Sequence, residues 1–322
     1  AAGKCAVTGD ENIVIGRNVA QRLTSGSDNV FIGRYAASQS NWTGNCNIVM
    51  GYSALSDAGS SSNTVAIGRY AAGNIAGSGN NVFIGNEAGC GDTATSASTE
   101  YNVMVGGLAG KCNCGNGNVY LGQCAGMHGM NSAYNVAIGL NAGLYFNNHA
   151  CQNTVIGYSA GVNITTGRYN TFLSANSGCT NTTGCYNVAI GYQVTLPNAT
   201  DSYQFAIGAQ TNRWIVGNNN FNVGIGTTNP DPAVGVGNTA KLSVGIVSAY
   251  QLYGDGSNLS GVGFSPDSQE NLYAGTGAGA ASDSDTCYNI AIGCGAGQSL
   301  NEGDNNILLG CRSGTTLTSG GY

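Results

Sequence analysis

Apolar and polar positions alternate along this chain in short bursts of five residues, each opening on a polar residue, mostly Asn, and closing on a small one, mostly Gly. Asn12–Gly16 reads NIVIG, Asn29–Gly33 NVFIG, Asn47–Gly51 NIVMG, Thr64–Gly68 TVAIG and Asn81–Gly85 NVFIG. The string returns as NVMVG, NVYLG, NVAIG, NTVIG and NVAIG, closing at Gly106, Gly122, Gly139, Gly157 and Gly191. Asn170–Ser174 (NTFLS) and Gln204–Gly208 (QFAIG) are degenerate copies, and Asn222–Gly226 (NVGIG) ends the series. After a gap the pattern resumes at Asn271–Gly275, Asn289–Gly293 and Asn306–Gly310. Most steps are 17 or 18 residues; the 21-residue step from Gly85 to Gly106 is expected to carry a loop insertion.

Each burst predicts a three- to four-residue strand with period two, whose two branched positions suit a strand face. Those positions, with a small Ala three residues after the Gly as a second inward site, are expected to form the core. The closing Gly permits a sharp bend or positive φ, and the intervening Ser, Thr, Asn, Gly and Tyr suit turns. One unit is too small to bury its apolar face, so the units are expected to stack. The predicted fold is all-β: a parallel β-solenoid, a β-roll or β-helix of 17–18-residue coils. Thirteen coils before the gap, at ~4.8 Å each, make a stack of roughly 60 Å. The recurrent Asn fits a side-chain ladder running up the stack, formed by Asn12, Asn29, Asn47, Asn102, Asn118, Asn135, Asn153, Asn170, Asn187, Asn289 and Asn306.

Composition narrows the picture. Among 322 residues are 53 Gly and 40 Asn, while only 8% are charged. Gly at that density would cost roughly 1 kcal/mol per helical position, and the shortage of charge excludes a coiled coil. The glycines lack the three-residue period of collagen. No apolar run is long enough to span a membrane, and a net charge of −6 argues against a nucleic-acid surface. Residues 1–11 read as a cap or the end of a preceding coil, 12–226 as the main solenoid, 227–270 as a neck or inserted β-element with a strand in KLSVGIV, and 271–322 as a second short solenoid. With no initiator Met and no signal peptide, the chain reads as a fragment or processed product, and a C-terminal end without a protective cap suggests that the stack continues or meets a partner.

Twelve cysteines are many for a protein assembled in a reducing compartment. Cys294 and Cys311 share a register one coil apart, and Cys90 and Cys112 sit one coil apart at nearly matching offsets, so both pairs are candidate disulfides. The alternative is that the cysteines are small reduced residues in the packing.

Candidate chemistry is sparse. The two His lack metal spacing, and no nucleophile elbow or phosphate loop occurs. Asp283, Asp285 and Asn289 suit either a turn or a hard cation, as does the GDGSN string at 254–258. No cofactor or metal site is expected. The most distinctive surface feature is a register stripe directly after the closing Gly: Arg17, Arg34, Tyr52 and Arg69 in consecutive coils, with Tyr158 and Tyr192 later. Cations and aromatic faces suit saccharide or anionic-polymer contacts; subunit packing and plain solvation are the alternatives. A second series, Tyr101, Tyr134, Tyr169, Tyr186 and Tyr288, directly precedes the strand Asn and is expected to pack between coils or chains.

The N-x-A-I-G-x-x-A-G motif resembles the repeats of trimeric autotransporter adhesin heads, which are β-rolls associated as trimers, although their repeat is nearer fourteen residues. Residues 222–244 (NVGIGTTNPDPAVGVGNTAKLSV) are similar to a linker of bacteriophage tail fibres. Residues 250–262 (YQLYGDGSNLSGV) and 270–279 (ENLYAGTGAG) resemble phrases of marine cyanophage structural proteins. The resemblance implies a non-enzymatic tail-fibre or appendage segment, extracellular on a virion. Its partners would be other copies of itself, as a homotrimer or longer fibre, and a host polysaccharide or protein receptor, with no nucleic acid and no membrane insertion. Nothing after Gly310 resembles the self-cleaving chaperone domain that ends many such fibres. A bacterial surface adhesin, a polysaccharide-degrading tailspike and, more distantly, an ice-binding solenoid are the rival readings.

Overall fold

In the computed structural model the described residues are 8–38, 41–57, 59–75, 79–91, 99–147, 149–226, 228, 230, 266–320 and the strand 242–244. The chain divides into two compact units, Ala1–Val247 and Ser248–Tyr322. The described residues form strands and turns only. In the first unit the strands are β1 (Ile13–Ile15), β2 (Val30–Ile32), β3 (Ile48–Met50), β4 (Val65–Ile67), β5 (Val82–Ile84), β6 (Val103–Val105), β7 (Val119–Leu121), β8 (Val136–Ile138), β9 (Thr154–Ile156), β10 (Thr171–Leu173) and β11 (Val188–Ile190). They continue as β12 (Phe205–Ala209), β13 (Asn212–Gly217), β14 (Val223–Ile225) and β15 (Leu242–Val244). The second unit holds β16 (Leu272–Ala274), β17 (Ile290–Ile292) and β18 (Ile307–Leu309).

From β1 to β12 each strand pairs in parallel with the next, one coil on, so Ile13 faces Val30 and Val30 faces Ile48. The 21-residue step leaves this register intact, with Val82 opposite Val103; residues 92–98 of its loop lie outside the described residues. Backbone bonds join the coils elsewhere too, as in Ala37 N–H to Ala54 O and Thr165 N–H to Thr182 O. The chain is thus a β-solenoid whose walls are bonded along the stack. Thr8 already donates to Thr24 O, so the stacking begins before the first strand. The Gly that closes most strands of the first stack is required twice over. At Gly33 φ is +135°, and a Cβ there would fall 2.4 Å from the Gly51 carbonyl oxygen.

The core departs from the sequence-based expectation. The two branched residues of each strand point outward, and the middle residue points in. Phe31, Val49, Ala66, Phe83, Met104, Tyr120, Ala137, Val155, Phe172 and Ala189 are buried, together with the Ala of the following corner (Ala36, Ala54, Ala71, Ala88). The reason is parity: the ladder Asn and the closing Gly alternate with the branched residues, and the stack buries the Asn–middle–Gly side. Volumes balance across the lumen. Where the middle residue is Ala66, Ala137 or Ala189, the same coil brings Ile75, Phe146 or Leu196 inward from the opposite wall.

A second departure lies at the end of the first stack. After Gly208 the x-x-A-G corner is missing, and the chain turns back through β13, which pairs antiparallel with both β12 and β14. A regular coil was expected there. β15 then pairs in parallel with β14. The rest of the 227–265 stretch, with the GDGSN string, lies outside the described residues apart from single positions. In the second unit β16, β17 and β18 repeat the parallel register, with Ala291 and Leu300 buried inside.

Candidate functional site

The Asn residues form a buried column on the lumen side. The Oδ1 of Asn12 accepts from both the backbone N–H and the side-chain amide of Asn29, each at 3.0 Å. Asn29 does the same for Asn47 at 3.0 and 2.9 Å. Each amide also donates to the carbonyl three residues before the next rung, closing its own coil: Asn29 to Gly44, Asn153 to Gly167, Asn170 to Gly184. The pattern runs through Asn102, Asn118, Asn135, Asn153, Asn170 and Asn187, and Gln204 ends it by donating its N–H to Asn187 Oδ1. Thr64 occupies one rung and Asn81 carries the column on to Asn102. In the second unit Asn271, Asn289 and Asn306 repeat it. Asn81 and Asn271 were not among the ladder residues expected from the sequence, although both open copies of the motif.

The outward face holds four parallel rows. The two central rows are the branched residues of β1–β11, 22 positions of which only Thr154 and Thr171 are polar. Ile15 is 56% exposed, Ile48 41% and Ile156 38%. They form a continuous aliphatic ribbon with no charged residue. The row on one side of it is the position after the closing Gly, which carries Arg17, Arg34, Tyr52, Arg69, Tyr158 and Tyr192, all exposed. The row on the other side precedes the ladder Asn and carries Tyr101, Tyr134, Tyr169, Tyr186 and Tyr203.

Local packing orders both outer rows. Arg34 Cζ lies 4.9 Å from the Tyr35 ring centre and 5.7 Å from that of Tyr52, and Arg69 lies 4.8 Å from that of Tyr70. Tyr52 meets Tyr35 and Tyr70 edge to face, at 6.0 and 5.4 Å. The hydrogen bond between Arg34 and Tyr35 raises the guanidinium above its usual value and lowers the phenol. On the opposite row Tyr169, Tyr186 and Tyr203 stack face to face at 4.6 and 5.0 Å, with ring planes within 9° and 1°. Both faces of Tyr186 are therefore covered by its neighbours, and its edge reaches solvent. Tyr186 is raised, first by desolvation and then by its two tyrosine neighbours.

The remaining candidates resolve into structure. Asp283 Oδ1 accepts from the Thr286 hydroxyl and from Asp285 N–H, which is a side-chain-bonded turn, while Asn289 belongs to the ladder. Among the described residues no group of three His, Cys, Asp or Glu is placed to hold a metal. His128 stacks on Tyr145 at 5.4 Å. Tyr120 is buried inside the stack, where desolvation pushes its phenol up while Asn113 donates to its oxygen at 2.9 Å. Lys111 pairs with Glu87 at 2.6 Å beside an open cleft of about 500 Å³ that Cys90 and Cys112 also line.

Neither candidate disulfide is formed; the described cysteines are thiols. Gly89 N–H donates to Ala109 O, which aligns Gly89 with Gly110 and so Cys90 with Lys111, one residue short of Cys112. Cys90 lies five residues after its closing Gly and Cys112 six after its own, and the register keeps that difference. Cys294 and Cys311 are true register neighbours, since Arg312 N–H donates to Cys294 O. In-register parallel stacking also explains why they stay apart. Parallel Cα–Cβ vectors leave the Cβ atoms about one coil spacing, ~4.8 Å, apart, beyond the ~3.5–4.5 Å a disulfide uses.

No protein-family model, no curated protein and no solved structure matches this chain. Among the described residues no helix is long and apolar enough to cross a membrane.

Proposed function

We propose that this chain is a non-enzymatic structural segment of an extracellular fibre, of the kind that forms phage tail fibres and related virion appendages, and that its copies associate as a homotrimer. The aliphatic ribbon carries the reading. Over β1–β11 it offers a strip about 50 Å long and, with its flanking rows, about 20 Å wide, or on the order of 1,000 Å². The two aliphatic rows alone, about 10 Å wide, cover on the order of 500 Å², the size of the largest, often functional, apolar patch on an ordinary monomer, and the whole face meets the about 800 Å² that a stable interface takes from each partner. A ribbon of this size facing water would favour aggregation; three ribbons turned toward a common axis would bury it.

The same design suits a load-bearing rod. Coils tied by backbone bonds and an internal amide column give stiffness with almost no charge, and the phrases at 222–262 and 270–279 favour the phage appendage over other extracellular fibres. Loops on the remaining walls would meet the host receptor, a surface polysaccharide or protein. Light scattering tests the assembly. The expected mass is about three times 32.4 kDa with and without reductant, and a 32.4 kDa monomer would overturn it. Host contact is tested by adsorption of the labelled protein to marine cyanobacteria, and uniform failure to adsorb would remove that part.

A further inference from the structure

The two rows flanking the ribbon complement each other at several levels of the stack. At the first level the row before the Asn carries Glu11 and the row after the Gly carries Arg17; at the second they carry Asp28 and Arg34. Six residues, including a three-residue strand, separate the members of each pair, so they flank opposite sides of the ribbon. Higher up, charge gives way to size. Tyr101 shares its level with Gly107, Tyr134 with Leu140, Tyr169 with Ala175 and Tyr203 with Ala209. Conversely, where the first row has Gly117, the second has Gln123. At one level two aromatics coincide, Tyr186 and Tyr192; the stacked Tyr186 presents its edge, which suits an edge-to-face contact. In the second unit Tyr288 shares its level with the smaller Cys294.

From this we propose that copies of the chain associate in parallel and in register about an axis along the stack, the row after the Gly of one copy meeting the row before the Asn of the next. The inference rests on the self-association reading above and adds its direction, register and contact pairs. Rotation about the stack axis brings unlike rows together at the same level. An antiparallel arrangement would set like rows against each other at reversed levels, where Glu11 and Asp28 would face Tyr203 and Tyr186, and Arg17 and Arg34 would face Ala209 and Tyr192. Charges left without a partner at the first two levels then oppose it.

A photo-crosslinker reads the geometry without interference from the native thiols. With p-benzoylphenylalanine at the exposed Tyr134, irradiation of the full chain is expected to attach it to the Leu140 segment of a neighbouring copy, read by peptide mass spectrometry. Covalent trimers on a denaturing gel accompany a three-chain ring and covalent dimers a two-chain one; crosslinks at Leu140 support the inference in either case. An oligomer by light scattering whose crosslinks fall elsewhere overturns the inference but not the self-association. A monomer overturns both. Independently, Asp28→Arg alone and Arg34→Asp alone are expected to weaken association on the order of tenfold, and the double variant to restore it. Absence of rescue in an assembled, folded protein contradicts the pairing.

Discussion

Replacing Asn153 with Ala removes one rung from the middle of the amide column. The wild-type side chain makes four hydrogen bonds. Its Oδ1 accepts from the Asn170 backbone and side-chain N–H groups at 3.0 Å each, and its amide donates to Asn135 Oδ1 at 3.1 Å and to Gly167 O at 2.9 Å. Two of these partners keep another bond, since Asn135 Oδ1 still accepts the Asn153 backbone N–H and the Asn170 amide still reaches Gly184 O. The Asn170 N–H and the Gly167 carbonyl lose the bond and are buried. At about 2 kcal/mol for each orphaned buried group, the substitution should destabilise the stack by ~4 kcal/mol. Asn163→Ala is the control: it also deletes a coil-to-coil bond, to Cys179 O at 2.8 Å, but in solvent, and should cost under about 0.5 kcal/mol because water replaces the amide. Denaturant unfolding followed by circular dichroism gives both values, and hydrogen exchange should show accelerated opening around residues 153–173. A loss below about 1 kcal/mol for Asn153→Ala, or equal losses for the two variants, would refute the idea that the column holds the coils together.

Four further outcomes follow from the same geometry. Ile67→Glu, on the ribbon, should leave the fold intact by circular dichroism while reducing the assembled mass, whereas Ala66→Glu, one residue earlier and facing the lumen, should unfold its coils. Gly68→Ala sets a Cβ 2.2 Å from the Gly85 oxygen at φ +139° and should lower the melting temperature, while Ser174→Gly, relieving a φ of +105°, should stabilise by about 1 kcal/mol. Lys111 holds the Glu87 carboxyl below the usual carboxylate range, so the pair stabilises above the unfolded pKa and loses that contribution as pH falls through the folded one. Lys111→Met should flatten this acid limb in pH-dependent melts by no more than ~1 kcal/mol, because both partners are partly exposed. Burial pushes the Cys179 thiol up, so iodoacetamide at pH 8 should label it more slowly than the exposed Cys294, as read by peptide mass spectrometry.

The repeat made the solenoid, the step of the coils and most of the amide column legible from the sequence, because each recurs at one offset and a stack converts offset into contact. The orientation of the strands was not legible in the same way. Three residues give too short an alternation to say which parity faces the lumen, and hydrophobicity alone favoured the wrong one. The usable signal was the Asn itself: a polar side chain repeated in every coil must be hydrogen-bonded if buried, and only its own neighbours up the stack could do that. Its parity then assigns Phe31 and Phe172 inward and Val30 and Ile32 outward. The hairpin at 205–217 was also written in the chain, in the absent Ala-Gly corner after Gly208 and in the Arg-Trp-Ile-Val run that follows. The misplaced Cys90–Cys112 pairing had a different origin. Cys90 lies five residues after Gly85 and Cys112 six after Gly106, and in a stack held in register that one-residue difference already places the two side chains at different positions.

That inversion of faces changes what the strongest feature of the sequence is for. In an isolated coil the core needs its lumen filled, and this chain fills it with different pieces: Ala137 with Phe146, Ala189 with Leu196, Ala291 with Leu300, and in one coil two rings, Phe31 with Trp42 at 5.1 Å. Such a core tolerates variation from coil to coil, as the middle residue shows by ranging from Ala to Tyr. The outward Val and Ile rows vary far less, although nothing inside the chain requires their uniformity. A flat surface repeated every ~4.8 Å is what a straight, in-register contact with a like surface demands, since one bulky or charged residue would hold the two ribbons apart over several coils. The regular Asn and closing Gly then specify the fold together with the middle residue, and the outward rows fit the assembly proposed above.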